Sequence, residues 1–155
     1  MPDAPIRILV DADACPVKEE VYRVARRCGC TVTLVANSRL RVPPGPMFEM
    51  VVVGRGQLDA ADDWIVEQAD ARCIVVTTDI PLAARSLEKG AKALDPKGRA
   101  FTPESIGDAL ASRELSSFLR DMGDLGGGPA PFTDRDRSRF LQRLDDFIQA
   151  ILKGK

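Results

Sequence analysis

The sequence predicts an α/β fold: a mostly parallel central sheet flanked by helices on both faces, with C-terminal helices packing on it. Two observations predict it. Short apolar, β-rich runs at Ile6–Val10, Thr31–Ala36, Met50–Val53 and Cys73–Thr77 alternate with stretches whose apolar residues recur at helical spacing. The runs also read as strands buried on both faces, and strands separated by helices pair in parallel, which puts the helices over both sides of the sheet.

Each element follows in order. After the first strand, Val17, Val21, Val24, Ala25 and Cys28 share one helical face, and Gly29 supplies the stop. Thr31–Ala36 and Met50–Val53 are the second and third strands. A helix over 58–69 carries Ala61, Ile65, Gln68 and Ala69 on one face, and Cys73–Thr77 is the fourth strand. Pro81–Lys89 carries Leu82, Ala83, Ser86 and Leu87 ahead of Gly90, and Ala91–Leu94 is a short edge strand. Thr102 caps a helix with Pro103 at its first position, running toward Arg120. A loop follows over 123–131, and Thr133 caps a last helix whose apolar stripe is Phe140, Leu144, Phe147 and Ile151. The expected organisation is one domain over 1–155, with a core at about 5–100 and a helical extension at about 102–153.

Composition sets bounds. A chain of 155 residues is long enough to bury a core without staples. Its 22 basic and 23 acidic side chains nearly cancel, so no global field selects a partner. The start of the chain has no leader-like pattern and no apolar run approaches the roughly 20 residues of a membrane span. A cytoplasmic protein without a membrane partner is expected. Cys15, Cys28, Cys30 and Cys73 contain no CxxC pair and the chain has no histidine, so free thiols are expected rather than disulfides or zinc.

The chemistry-bearing residues are acidic. Asp11 and Asp13 follow the first strand, Asp59, Asp62 and Asp63 open a helix, Asp79 follows the fourth strand and Asp95 the fifth. In a parallel sheet all carboxyl ends lie on one edge, where open α/β sheets bind ligands, so these residues are expected to converge there. Asp59 and Asp62 share a helical face and Asp63 turns away from it, which makes Asp62 the inward residue. Clustered carboxylates repel unless a cation lies among them, and oxygen donors favour Mg²⁺ or Mn²⁺. Without histidine the commonest general base is missing, and two such ions clamping a phosphodiester would activate water instead. Each acid also has a structural explanation as a helix cap or first-turn residue, though capping does not account for Asp11 and Asp13 together. Glu19 and Glu20 are outer-shell candidates. Lys18, Asn37, Ser38, Arg39 and Arg41 are candidates for holding the phosphates of a substrate. Trp64 and Cys15 read as packing residues.

These residues carry a resemblance. Val10–Lys18 (VDADACPVK), Ala36–Ser38, Ala61–Ile65, Thr78–Ala83 and Gly127–Thr133 together resemble the YaiI/YqxD family of uncharacterised bacterial proteins, over nearly the whole chain. That family in turn resembles the PIN-like nucleases, including the NYN ribonucleases. The resemblance implies a three-layer PIN-like domain that binds Mg²⁺ or Mn²⁺ through Asp11, Asp59, Asp62 and Asp79, with Asp13 as an additional carboxylate. It implies a nuclease acting on nucleic acid, with RNA the expected substrate and Asp11, Asp13, Asp62 and Asp79 catalytic.

Two rivals stand beside it. The Asp-x-Asp pattern also suits a haloacid-dehalogenase-like phosphatase with Asp11 as nucleophile, although Cys15 stands where that family has Thr or Val and the acids at 59–63 are then unexplained. A module that binds nucleic acid or protein without turnover is the third reading.

Overall fold

The computed structural model describes residues 5–13, 15–54, 60–107 and 132–154. In chain order the elements are β1 (Arg7–Asp11), α1 (Lys18–Cys28), β2 (Thr31–Ala36), β3 (Phe48–Val52), α2 (Ala60–Gln68), β4 (Cys73–Val76), α3 (Ile80–Glu88), β5 (Lys92–Leu94) and α4 (Asp134–Leu152). Residues 103–107 are also helical. The sheet has the order β3-β2-β1-β4-β5, and every neighbouring pair is parallel.

Alternation along the central strand sorts the core into two halves. Ile8 and Val10 of β1 join Leu34, Ile74 and Val76 on one face, beneath Val21 and Ala25 of α1 and Phe140, Leu144 and Ile148 of α4. Leu9 points the other way and meets Val35 and Val75, covered by Ile65 of α2 and Leu82 of α3. The result is three layers, with α1 and α4 on one side and α2 and α3 on the other. β1 is paired on both edges and sealed on both faces, so the residues that follow it have a fixed exit.

The ends of the helices follow local chemistry. Gly29 closes α1 at φ +72°, a left-handed conformation that costs glycine little. The Asp79 side chain accepts the Leu82 N–H to cap α3, and Pro81 lies in the first turn, where a missing N–H is harmless. Thr133 and Asp136 form a reciprocal capping box at the start of α4. Thr102 likewise accepts the Ser105 N–H where the 103–107 helix begins.

Several expectations change. The third apolar run was expected to be buried, but β3 is an edge strand paired only with β2 and Val52 remains 45% exposed. An edge strand has a neighbour on one side only, and a Met-Val-Val-Val run does not record which strand lies outermost. In α4 it is Ile148, not Phe147, that is fully buried, since Phe147 only packs against the margin of the core. Glu20 is engaged in an ion pair: it is buried under α4, with Oε1 3.3 Å from Arg137 Nη1 and Oε2 lacking a hydrogen bond among the described residues. All four cysteines are free, and Cys15, Cys30 and Cys73 are buried. The expected start of the second helix at 58, the run toward Arg120 and the glycine-rich loop lie outside the described residues.

The chain after β5 is pinned to α4. Gly98 has φ +87°, and a Cβ there would lie 2.6 Å from both Arg139 C and Phe140 N. Gly98→Ala therefore adds backbone strain to a clash with helix backbone. It is expected to lower the free energy of unfolding by roughly 2–4 kcal/mol, measured by equilibrium denaturation, whereas Gly45→Ala, with positive φ but open space, is expected to cost less.

Candidate functional site

The order of the strands reverses at β1, from which the chain steps to β2 and β3 on one side and to β4 and β5 on the other. The crevice beyond the carboxyl ends of the strands at such a switch point is open, because the connections leave in opposite directions. Asp11 is the last residue of β1, and Thr77 follows β4 directly. Parallel pairing of these strands, with Val10 opposite Val76, brings the two together across the switch point.

Thr77 joins them. It is 1% exposed, its hydroxyl donates to Asp11 Oδ2 at 2.8 Å, and the same oxygen accepts the Asp79 N–H at 2.9 Å. Asp79 in turn spends Oδ1 on the Leu82 N–H at 2.8 Å. One buried hydroxyl thus fixes both the Asp11 side chain and the turn that presents Asp79. Asp13 lies one turn beyond β1, and its Oδ2 accepts the Asn37 N–H at 3.4 Å, a long bond that links it to the end of β2.

Asp11, Asp13 and Asp79 line one cleft together with Thr78 and Ile80. Its volume of about 390 Å³ leaves room for an ion and several waters at about 30 Å³ each. Burial pushes the Asp11 carboxyl above the ordinary carboxylate range; the Thr77 hydroxyl opposes this, and the charges of Asp79 and Asp13 add to the rise. An acid whose proton affinity is raised first by burial and then by neighbouring acids is a site where added positive charge is favourable.

The donor chemistry fits a hard cation. Among the described residues no three Asp, Glu or Cys side chains are gathered into a metal cage. An ion here would be held by the Asp11 and Asp79 carboxylates and would complete its shell with water and substrate oxygens, the usual mode for Mg²⁺.

The other candidates are distributed as follows. Asp62 is half-exposed in the first turn of α2 and is not among the described residues lining the cleft. Asp63 turns away as expected and pairs with Arg85 of α3 at 3.0 Å. Asp59 lies outside the described residues. Lys18 opens α1 half-buried, and Asn37, Ser38, Arg39 and Arg41 leave the carboxyl end of β2 exposed, on the same edge of the sheet as the cleft. Cys15 is buried beside the site, and its thiol is pushed up chiefly by that burial, as befits a packing residue rather than a nucleophile. Trp64 is half-buried against the core beneath the sheet. Sequence reasoning missed Thr77 and Thr78. The Thr-x-Asp pattern at Thr77–Asp79 was the available signal, but a threonine ending a β-branched run reads first as strand.

The profile of the Uncharacterized BCR, YaiI/YqxD family matches residues 9–150. A UPF0178 protein of Rhodospirillum centenum is 56% identical over 152 residues, covering 96% of this chain and 98% of the relative. A UPF0178 protein of Sphingopyxis alaskensis is 57% identical over 152 residues, covering 97% of each chain. One from Rhodopseudomonas palustris is 54% identical over 155 residues, covering 100% of this chain and 98% of the relative. No solved structure matches the chain.

The Asp11 carboxyl binds its proton more tightly in the folded protein than in the unfolded chain. The folded protein holds the ionised form less favourably than the unfolded chain does, so the residue costs stability progressively as the pH rises from its unfolded-state value, in full above its folded-state value, and the cost vanishes in acid, where it is protonated in both states. Asp11→Asn keeps an oxygen to accept the Thr77 hydroxyl. It is expected to raise the Tm of the metal-free protein near neutral pH, with the gain shrinking as the pH falls through the carboxylate range, measured by thermal denaturation with chelator present.

Proposed function

Taking as premise that this chain belongs to the YaiI/YqxD family, whose name carries no activity, we propose that it is a divalent-metal-dependent nuclease that hydrolyses phosphodiester bonds, with RNA in the cytoplasm as its substrate. The observation that carries the reading is the Thr77 hydroxyl bridging Asp11 and the Asp79 turn at the switch point of the sheet. This arrangement presents two carboxylates from different strands to one cleft, with Asp13 beside them. The resemblance to the PIN-like and NYN nucleases points the same way.

A bound Mg²⁺ or Mn²⁺ supplies Lewis acidity toward a phosphoryl oxygen and makes water a better nucleophile near neutral pH. The residues of the chain do the rest. Asp11 and Asp79 would hold the cation. Asp13, tied to the end of β2 through the Asn37 N–H, would orient water or complete the shell of the cation. Asp62 in the first turn of α2, and Asp59 three residues before it in the sequence, are the further carboxylates proposed for a second ion. Lys18 at the start of α1 and Asn37, Ser38, Arg39 and Arg41 after β2, on the same edge of the sheet as the cleft, would hold substrate phosphates. With no histidine in the chain, proton transfer falls to carboxylate and solvent.

The test is cleavage of labelled single-stranded RNA and DNA with Mn²⁺ or Mg²⁺. Cleavage is expected with metal and is expected to fall at least about 100-fold in Asp11→Asn and in Asp79→Asn, with both variants folded by circular dichroism. Mass spectrometry is expected to find no phosphate on Asp11. Hydrolysis of small phosphomonoesters with a phosphate on Asp11 selects the phosphatase instead. Inertness toward both substrate classes with several metals leaves the binding module and overturns the nuclease.

A further inference from the structure

The acidic cleft does not end at Asp79. Thr78 and Ile80 also form one wall of a second cleft, whose other walls are Asp95, Arg99, Phe101 and Ser105. Thr78, Asp95 and Arg99 border a third, which reaches Lys97 and Phe132. Sharing Thr78 as a lining residue, the three hollows outline a groove past the carboxyl ends of β4 and β5, and the charge of its lining changes along the way. At the switch point it is lined by Asp11, Asp13 and Asp79; past Thr78 a single carboxylate, Asp95, is joined by Lys97, Arg99, Phe101 and Phe132.

The loop that carries the cations is fixed before any ligand arrives. Asp95 Oδ1 accepts the N–H groups of Lys97 at 2.9 Å and Arg99 at 3.0 Å, and Gly98 is seated against the backbone of α4. The loop therefore holds its shape without the Arg99 guanidinium. That side chain is 70% exposed and approaches Asp95 only through Nε at 3.6 Å, too long for a hydrogen bond. An arginine on a rigid loop, beside a half-buried aromatic ring and a cleft proposed to cut phosphodiesters, has the parts of a nucleotide subsite: a fork for phosphate and a face for a base.

Resting on the nuclease reading, we propose that this groove binds the nucleotide adjoining the scissile bond of a single-stranded nucleic acid, with Arg99 and Lys97 on its phosphate and Phe101 against its base. A base can reach Phe101 only when it is unstacked from its neighbours, which a duplex does not permit and a single strand does. The groove thus selects strandedness, and the acidic cleft performs the cut.

The test uses the full chain in chelator, so that turnover does not consume the probe, and reads fluorescence anisotropy of a labelled single-stranded oligoribonucleotide. Arg99→Ala is expected to weaken binding by roughly 10-fold and to lower the slope of log affinity against log salt by about one phosphate contact. Phe101→Leu keeps an apolar side chain in the core while removing the ring, and is expected to weaken binding several-fold with the salt slope unchanged. Mn²⁺ binding, measured by calorimetry, is expected to be the same in both variants as in the unaltered chain. Unchanged oligonucleotide affinity in both variants, equal affinity for duplex, or no binding by the unaltered chain overturns the groove and leaves the metal site standing. Affinity that falls as described in a protein that never cleaves supports the groove and overturns the nuclease.

Discussion

Parallel pairing of β1 with β2 on one side and β4 on the other is the constraint from which the rest of the site follows. It requires every strand to end on the same edge, and reversal of the strand order at β1 opens a crevice there. Asp11 cannot withdraw from that crevice, because Val10 before it and Ala12 after it are both fully buried and the Ala12 N–H is bonded to Val35 O at 2.9 Å. The fold therefore holds a carboxylate half-buried next to two others and bears the electrostatic cost. Thr77 offsets part of that cost with one hydrogen bond, and the same oxygen builds the Asp79 turn. Destabilised groups held in place by a rigid frame are what a binding site requires, and a frame sealed on both faces supplies the rigidity.

The C-terminal helix belongs to this frame. Phe140, Leu144 and Ile148 cover the β1 side of the sheet, Arg137 meets the buried Glu20 of α1, and the backbone at Arg139 and Phe140 receives Gly98. Removing one partner of a pair like Glu20–Arg137 leaves a buried charge uncompensated, so the pairing ties α1 to α4 more through the penalty for breaking it than through net attraction. Because α4 also seats the loop after β5, the position of Lys97 and Arg99 depends on the far end of the chain.

Much of this was legible in the sequence. A buried run that ends in Asp11 and Asp13 announces a strand end with something to bind, and the Gly29, Asp79 and Thr133 caps are local signals that local physics honours. The strand order, the edge position of β3 and the pairing of Glu20 with Arg137 were not legible, because each joins residues far apart in sequence and leaves no periodic trace. Thr77 was hidden by its own β propensity. Arg99 and Lys97 were hidden in a loop of ordinary turn composition, where only the neighbouring β4 end turns them into a wall of a groove. The choice of Ile148 over Phe147 reflects the drift of a helical stripe across a 19-residue helix.

The central claim is that Asp11 and Asp79 share a cation at the switch point. Crystals soaked in Mn²⁺ and measured at a wavelength where manganese scatters anomalously test it most directly. An anomalous peak is expected within about 2.3 Å of a carboxylate oxygen of each residue, and is expected to be lost in Asp79→Asn. A cleft without such a peak in a fully soaked crystal, or a peak held by other residues while Asp11 and Asp79 remain unligated, would contradict it.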